Sequence, residues 1–172
     1  GISESLDSDG SHVAIGGEGN DAAGDDAGHA RVYEFSNNSW SQLGADIDGE
    51  AAGDNSGSSV SLSSDGSTVA IGAPLNSGNG MLTGHVRVYN YNGSSWNQIG
   101  QDIDGENVGD ASGHSVSLSS DGNIVAIGAK ENDGFLYNSH SGHTRIYNWN
   151  GSSFFILFGN LYCFRFHNCK RL

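Results

Sequence analysis

The sequence predicts an all-β protein, a β-propeller-type array of three four-stranded antiparallel blades forming a partial or open propeller. Three observations predict it. Glycine takes 27 of the 172 positions and proline one, Ser, Asn and Asp are abundant, and no long stretch carries apolar residues at helical spacing. One phrase occurs three times, as SLDSDGSHVAIG from Ser5, SLSSDGSTVAIG from Ser61 and SLSSDGNIVAIG from Ser117, at a fixed step of 56 residues. Each copy also breaks into short alternating runs separated by turn residues. A period of this size marks an array of small supersecondary units, each of which buries its faces against its neighbours.

The second copy shows the unit most clearly. Ser59–Ser63 alternates and ends at Asp65-Gly66, and Ser67–Ala73 follows that turn. Gly84–Tyr91 alternates again and ends at Asn92-Gly93, and Ser94–Gly100 is the fourth run. Asp-Gly and Asn-Gly suit two-residue hairpins, which need positive φ at both central positions. Val69 and Ile71 would face one way and Ala70 and Gly72 the other, so a bulky side of one blade meets a small side of the next. Trp40 and Trp96 fall on outer strands as packing anchors, and His29, His85 and His143 recur before the third strand, which favours a structural hydrogen bond over chemistry. The blades are expected at residues 1–44, 57–100 and 113–159, with a non-repeat tail at 160–172. The third copy carries two extra residues between Lys130 and Gly142, where a surface loop tolerates them.

These motifs resemble the FG-GAP repeat, the blade unit of integrin alpha-subunit propellers. The matching residues are Gly57-Ser58-Ser59-Val60, Gly72-Ala73-Pro74 and Gly84-His85-Val86-Arg87-Val88-Tyr89, with Gly113-His114-Ser115-Val116 and Gly128-Ala129 in the third copy. The resemblance implies a secreted or cell-surface protein whose work is non-enzymatic adhesion or recognition. Two departures stand out. Ser56 and Ser112 replace the family's phenylalanine, and a bare Asp-Gly turn, with Asp7-Ser8-Asp9-Gly10 as a remnant, replaces its calcium loop.

Charge placement sharpens the expectation. Acids number 20 and Lys plus Arg 7, for a formal net charge of −13. Nucleic acid is excluded as a partner, because phosphate binding needs clustered Lys and Arg. No apolar run is long enough for membrane insertion, and no secretory signal opens the chain. Antiparallel topology puts the loops 17–28, 44–57, 73–84, 100–113 and 129–142 on one face of the disc, and fourteen of the acids lie in them. Asp21, Asp25, Asp26, Asn76, Asn79, Glu131 and Asp133 are the candidate binding face for a protein or glycan. The link DIDGEAAGD, repeated as DIDGENVGD, offers Asp46, Asp48, Glu50 and Asp54, and again Asp102, Asp104, Glu106 and Asp110. Such oxygen-rich, glycine-containing loops suit a hard cation, with Ca2+ the candidate and a solvated turn the alternative.

No catalytic set is recognisable, so the expected function is binding; a structural spacer and an enzyme scaffold with catalytic residues elsewhere are the alternatives. Asn37, Asn92 and Asn150 begin Asn-x-Ser triplets, although the turn itself also wants Asn there. Three blades do not close a ring, so the chain either self-associates, stays open or belongs to a longer protein. From Phe154 onward the acids vanish and Arg165, Lys170 and Arg171 appear. This change reads either as a misread frame or as a strand and cap completing the outer edge. Cys163 and Cys169 in this stretch could pair or remain free thiols.

Overall fold

A computed structural model describes residues 1–132, 142–162 and 170–171. Among them every regular element is a strand, and the strands form three antiparallel sheets. Blade 1 contains β1 (Ser3–Leu6), β2 (His12–Gly17), β3 (His29–Ser36), β4 (Ser39–Gln42) and β5 (Ile47–Asp48). Blade 2 repeats them as β6 (Ser59–Leu62), β7 (Thr68–Ala73), β8 (His85–Tyr91), β9 (Trp96–Gln98) and β10 (Ile103–Asp104). Blade 3 has β11 (Ser112–Leu118), β12 (Ile124–Ala129), β13 (His143–Trp149), β14 (Phe154–Tyr162) and β15 (Lys170–Arg171).

The two-residue strands β5 and β10 are absent from the sequence reading. They arise because the fourth strand covers only part of the third. In blade 1, β4 pairs Tyr33–Ser36, and β5 then pairs His29 and Ala30. The outer edge of each blade is thus one interrupted strand, and four layers remain the working description. In blade 3 the continuous β14 fills both places. Phe154 pairs Trp149 as Trp96 pairs Tyr91, and Tyr162 pairs His143 as Asp104 pairs His85. The strand therefore runs three residues past the expected boundary at 159, although its sequence has left the repeat.

The blades stack as the alternation suggested. Ala14, Ala30, Val32 and Ile47 of blade 1 form one core with Val60, Leu62, Val69, Ile71 and Tyr89 of blade 2. The same arrangement recurs one blade on, where Ala70, Val86, Val88 and Ile103 meet Val125, Ile127 and Tyr147. Glycine sets the closeness of approach. A Cβ on Gly16 would overlap the Gly57 carbonyl oxygen, and one on Gly72 would overlap that of Gly113. Trp96 anchors as expected: its Nε1 donates to the Leu43 carbonyl of blade 1 at 2.7 Å, and its ring lies 5.2 Å from Tyr91. Trp40, the equivalent residue of blade 1, is 48% exposed.

The Asp-Gly turns depart from the expectation. Only the glycines (Gly10, Gly66, Gly122) take positive φ; their aspartates do not. Each loop is longer than two residues, with Ser63 N–H donating to the Thr68 carbonyl and Gly66 N–H to the Ser63 carbonyl. The Asp side chain is the reason: Asp65 Oδ1 accepts from Ser67 N–H at 3.0 Å and from the Ser63 hydroxyl at 2.6 Å. A carboxylate that caps its own turn displaces the two-residue geometry. Positive φ at both central residues occurs at Asn37-Asn38, between β3 and β4.

Candidate functional site

The long loops form a hydrogen-bonded layer rather than free arms. In blade 1, Gly53 N–H donates to Asp25 O at 2.8 Å, Asn55 N–H to Asp26 O at 3.0 Å and Ser56 N–H to Ala27 O at 2.9 Å. Blade 2 repeats the last bond from Ser112 to Thr83 at 3.0 Å. Asp54 sits at the centre of this layer. Its buried Oδ2 accepts from Ala51 N–H at 3.0 Å and from Asn76 Nδ2 of the next blade at 2.9 Å. Asp110 repeats the clasp, accepting from Asn107 N–H at 2.9 Å and from Asn132 Nδ2 at 2.8 Å.

The structure divides the sequence's candidate cation ligands instead of gathering each loop into one site. Asp54 and Asp110 are occupied as clasps. Ile47 and Ile103 turn inward as strand residues, which sends Asp46 and Asp48, or Asp102 and Asp104, to the other side of a short strand. Glu50 and Glu106 reach forward onto the next blade. On the candidate binding face, Asp21, Asp25, Asp26 and Asn79 are exposed and Glu131 is half-buried beside Lys130. Asn76 is a correction: it is buried in the Asp54 clasp and offers a ligand nothing. Asp133 lies outside the described residues.

What the fold does gather is a cluster at the junction of blades 1 and 2, contributed by three elements. Glu50 comes from the first link, His85 opens β8, and Asp102 precedes β10. One carboxylate oxygen from each acid and a ring nitrogen of His85 lie within 4.8 Å of one another. His85 Nδ1 is 3.6 Å from Asp102 Oδ2 and 3.9 Å from Glu50 Oε2. These separations are too long for hydrogen bonds. They match two ligands sharing one cation held at about 2.0–2.4 Å from each. The opposite oxygens are fixed: Gln98 Nε2 donates to Asp102 Oδ1 at 2.7 Å, and Arg87 Nη1 lies 3.6 Å from Glu50 Oε1. Arg87 is positioned by its Nη2, which donates to the Asp48 carbonyl at 2.8 Å, and by the Tyr89 ring 5.7 Å away.

The electrostatics favour a neutral ligand imidazole. Burial, then the Arg87 charge, holds the His85 pKa below its ordinary value despite Asp102 and Glu50. Among the described residues His85 Nε2 is buried without a hydrogen-bond partner, so the structural bond expected of this histidine is not seen there. The cluster opens into a cleft of about 550 Å³ lined by Glu50, Gln98, Gly100, Gln101, Asp102 and Asp104. Burial and the neighbouring Asp102 raise the pKa of Asp104.

Among the described residues the other blades do not assemble the same set. His29, Asp46 and Asp48 also converge, but here Arg31 turns onto Asp46. It donates from Nε to Oδ1 at 2.9 Å and from Nη2 to Oδ2 at 2.7 Å. That fork, with Gln42, holds the Asp46 pKa down at about 2 and engages both of its oxygens. In blade 3, Glu106 lies 3.8 Å from His143 Nδ1 and 3.4 Å from Arg145, but counting back from the Tyr162–His143 pair puts Asn160 where blade 2 has Asp102. The repeated His-x-Arg of the third strand was the signal that could have found the cluster, read together with the link of the preceding copy.

No family model matches the chain, and no curated protein sequence does. Among solved structures it is similar to a Bacteroides uniformis protein provisionally named a 6-phosphogluconolactonase, with a TM-score of 0.59 and 16% identity. The match covers 92% of this chain and 40% of that one, so the chain spans about two fifths of the counterpart. The likeness supports the all-β, propeller-like fold. It overturns the FG-GAP resemblance, because the similar solved structure bears a lactonase name and no family model supports the FG-GAP repeat. The adhesion function and the expectation of no enzymatic activity are corrected by the same finding, since the structural counterpart bears an enzyme's name.

Proposed function

We propose that this chain is a three-blade part of a propeller hydrolase acting on a cyclic ester of the lactone class, with Glu50, His85 and Asp102 holding a divalent cation. The observation that carries the reading is the convergence of a neutral imidazole and two carboxylate oxygens at hydrogen-bond-exceeding distances beside an open cleft. The enzyme name of the structural counterpart supplies the reaction class.

A bound cation supplies a Lewis acid for a carbonyl and a water ionised near neutral pH. The chain's residues do the rest. Arg87 holds Glu50 in place, Gln98 orients Asp102, and Asp104, with its raised pKa, is placed to exchange a proton at the cleft wall. A nitrogen with two oxygens suits Mn2+ or Zn2+, and Ca2+ fits when water completes the shell. An uncharged lactone suits this cleft better than a phosphorylated one. The net charge is −13 and each of Arg31, Arg87 and Arg145 faces a carboxylate, so an incoming phosphate meets repulsion.

Calorimetric titration with Mn2+, Zn2+ and Ca2+, followed by pH-stat assay on glucono-δ-lactone, tests the reading. One site per chain, lost in Asp102→Asn and in Glu50→Gln, is expected, with hydrolysis that EDTA abolishes. Ion binding that both variants retain would remove the site, and intact lactone after prolonged incubation with the loaded protein would remove the activity.

A further inference from the structure

Three Asn-Gly steps occur in the chain, at Asn79-Gly80, Asn92-Gly93 and Asn150-Gly151. The dipeptide is the same in all three, so a large difference in their chemistry comes from the fold. Asn79-Gly80 lies in the long loop of blade 2. The other two form the outer hairpin turns, between β8 and β9 and between β13 and β14.

The hairpin asparagines are held alike. Asn92 Oδ1 accepts from the N–H groups of Ser94 and Ser95, both at 3.0 Å, and from the Ser94 hydroxyl at 2.9 Å. Asn150 Oδ1 accepts from Ser152 N–H at 2.9 Å, from Ser153 N–H at 3.0 Å and from the Ser152 hydroxyl at 2.9 Å. A side chain folded back onto its own turn in this way brings its amide carbon, Cγ, toward the next backbone nitrogen. That nitrogen is uncommitted. Among the described residues neither Gly93 N–H nor Gly151 N–H donates a hydrogen bond. Both glycines have a φ of 94° and open space where a Cβ would stand. Asn79 lacks both features. Among the described residues no hydrogen bond holds its side chain, and Gly80 N–H donates to Ser77 O at 3.3 Å.

We propose that Asn92 and Asn150 are sites of spontaneous deamidation, with the donors of each turn serving as an oxyanion hole. Gly93 N–H loses its proton to hydroxide, and the nitrogen attacks Asn92 Cγ. As the N–Cγ bond forms, the carbonyl π pair moves onto Oδ1, where two amides and a hydroxyl stabilise the charge. The intermediate collapses by expelling Nδ2, which takes a proton from water and leaves as ammonia. A succinimide ring remains. Water opens it at either carbonyl, giving aspartate or isoaspartate, so one water is consumed for each ammonia released. Asn150 and Gly151 follow the same course. Each conversion adds one negative charge. The aspartate product keeps the turn, because a carboxylate accepts from the same donors more strongly. The isoaspartate product lengthens the backbone by one carbon just before β9, the strand whose Trp96 ties blade 2 to Leu43 of blade 1.

Ageing the whole chain in heavy-oxygen water at mildly alkaline pH, folded and in denaturing urea, tests this by peptide mapping with mass spectrometry. In the folded chain Asn92 and Asn150 are expected to take up label at least tenfold faster than Asn79. In urea the three rates converge, because the turns are gone. Gly93→Ala is expected to arrest conversion at Asn92 while Asn150 continues at its parental rate. Ser94→Ala, at an exposed position that leaves the backbone donors in place, is expected to slow Asn92 about threefold. Asn79 converting as fast as the hairpin asparagines in the folded chain, an unchanged ranking in urea, or parental conversion in Ser94→Ala would each overturn the proposal. None of these results depends on the cation site or on lactone hydrolysis.

Discussion

Asp54 shows how far a residue's chemistry depends on where the chain carries it. In the sequence it is one of four acids in a glycine-containing link, a plausible cation ligand. In the fold it is 4% exposed and already accepts from Ala51 N–H and Asn76 Nδ2. Asp54→Ala would leave the buried Asn76 amide and a backbone donor unmatched, at about 2–3 kcal/mol. Urea unfolding should show that loss, while ion titration at Glu50, His85 and Asp102 stays unchanged. A variant as stable as the parent would mean the clasp is dispensable. The acids themselves were legible in the sequence; their division of labour was not, because it is decided by partners one blade away. His85 illustrates the same limit. Its recurrence reads as structural, yet its ring faces one carboxylate from the preceding link and one from its own.

At the scale of elements, the strands were legible because period-two alternation and turn residues are local properties. The second blade's four runs fall within one or two residues of β6 to β9. The short β5 and β10 were missed because two residues carry no periodicity; only pairing with the start of the third strand defines them. Glycine spacing holds a further consequence. Gly72 and Gly128 occupy the same position of the second strand, but a Cβ on the first meets the Gly113 backbone of the next blade most closely and one on the second meets the Ser115 hydroxyl of its own blade. Backbone cannot yield as a serine rotamer can. Gly72→Ala is therefore expected to lose about 3 kcal/mol by overpacking, and Gly128→Ala under about 1 kcal/mol. Equal losses measured by denaturation would contradict this account of the blade contact.

For the whole molecule, stability is shared between blades and the junctions between them, and titration at those junctions couples pH to the entire array. Burial, reinforced by Arg87 in one case and Arg145 in the other, lowers the pKa of both His85 and His143. The unfolded chain protonates these histidines near their ordinary value of about 6.5, whereas the folded chain resists until lower pH. The unfolded state thus binds more protons just below 6.5, so folding stability is fully present above that value and falls as pH drops toward the folded pKa values. Melting temperature should decline from pH 7 to 5.5, a window in which ordinary carboxylates stay ionised and self-repulsion changes little. The double variant His85→Gln, His143→Gln should flatten that slope. Added salt acts on a different quantity, raising the melting temperature at every pH by screening a chain of net charge −13. A slope that the double variant keeps would place the acid sensitivity elsewhere, with the carboxylates of the loop layer the remaining source.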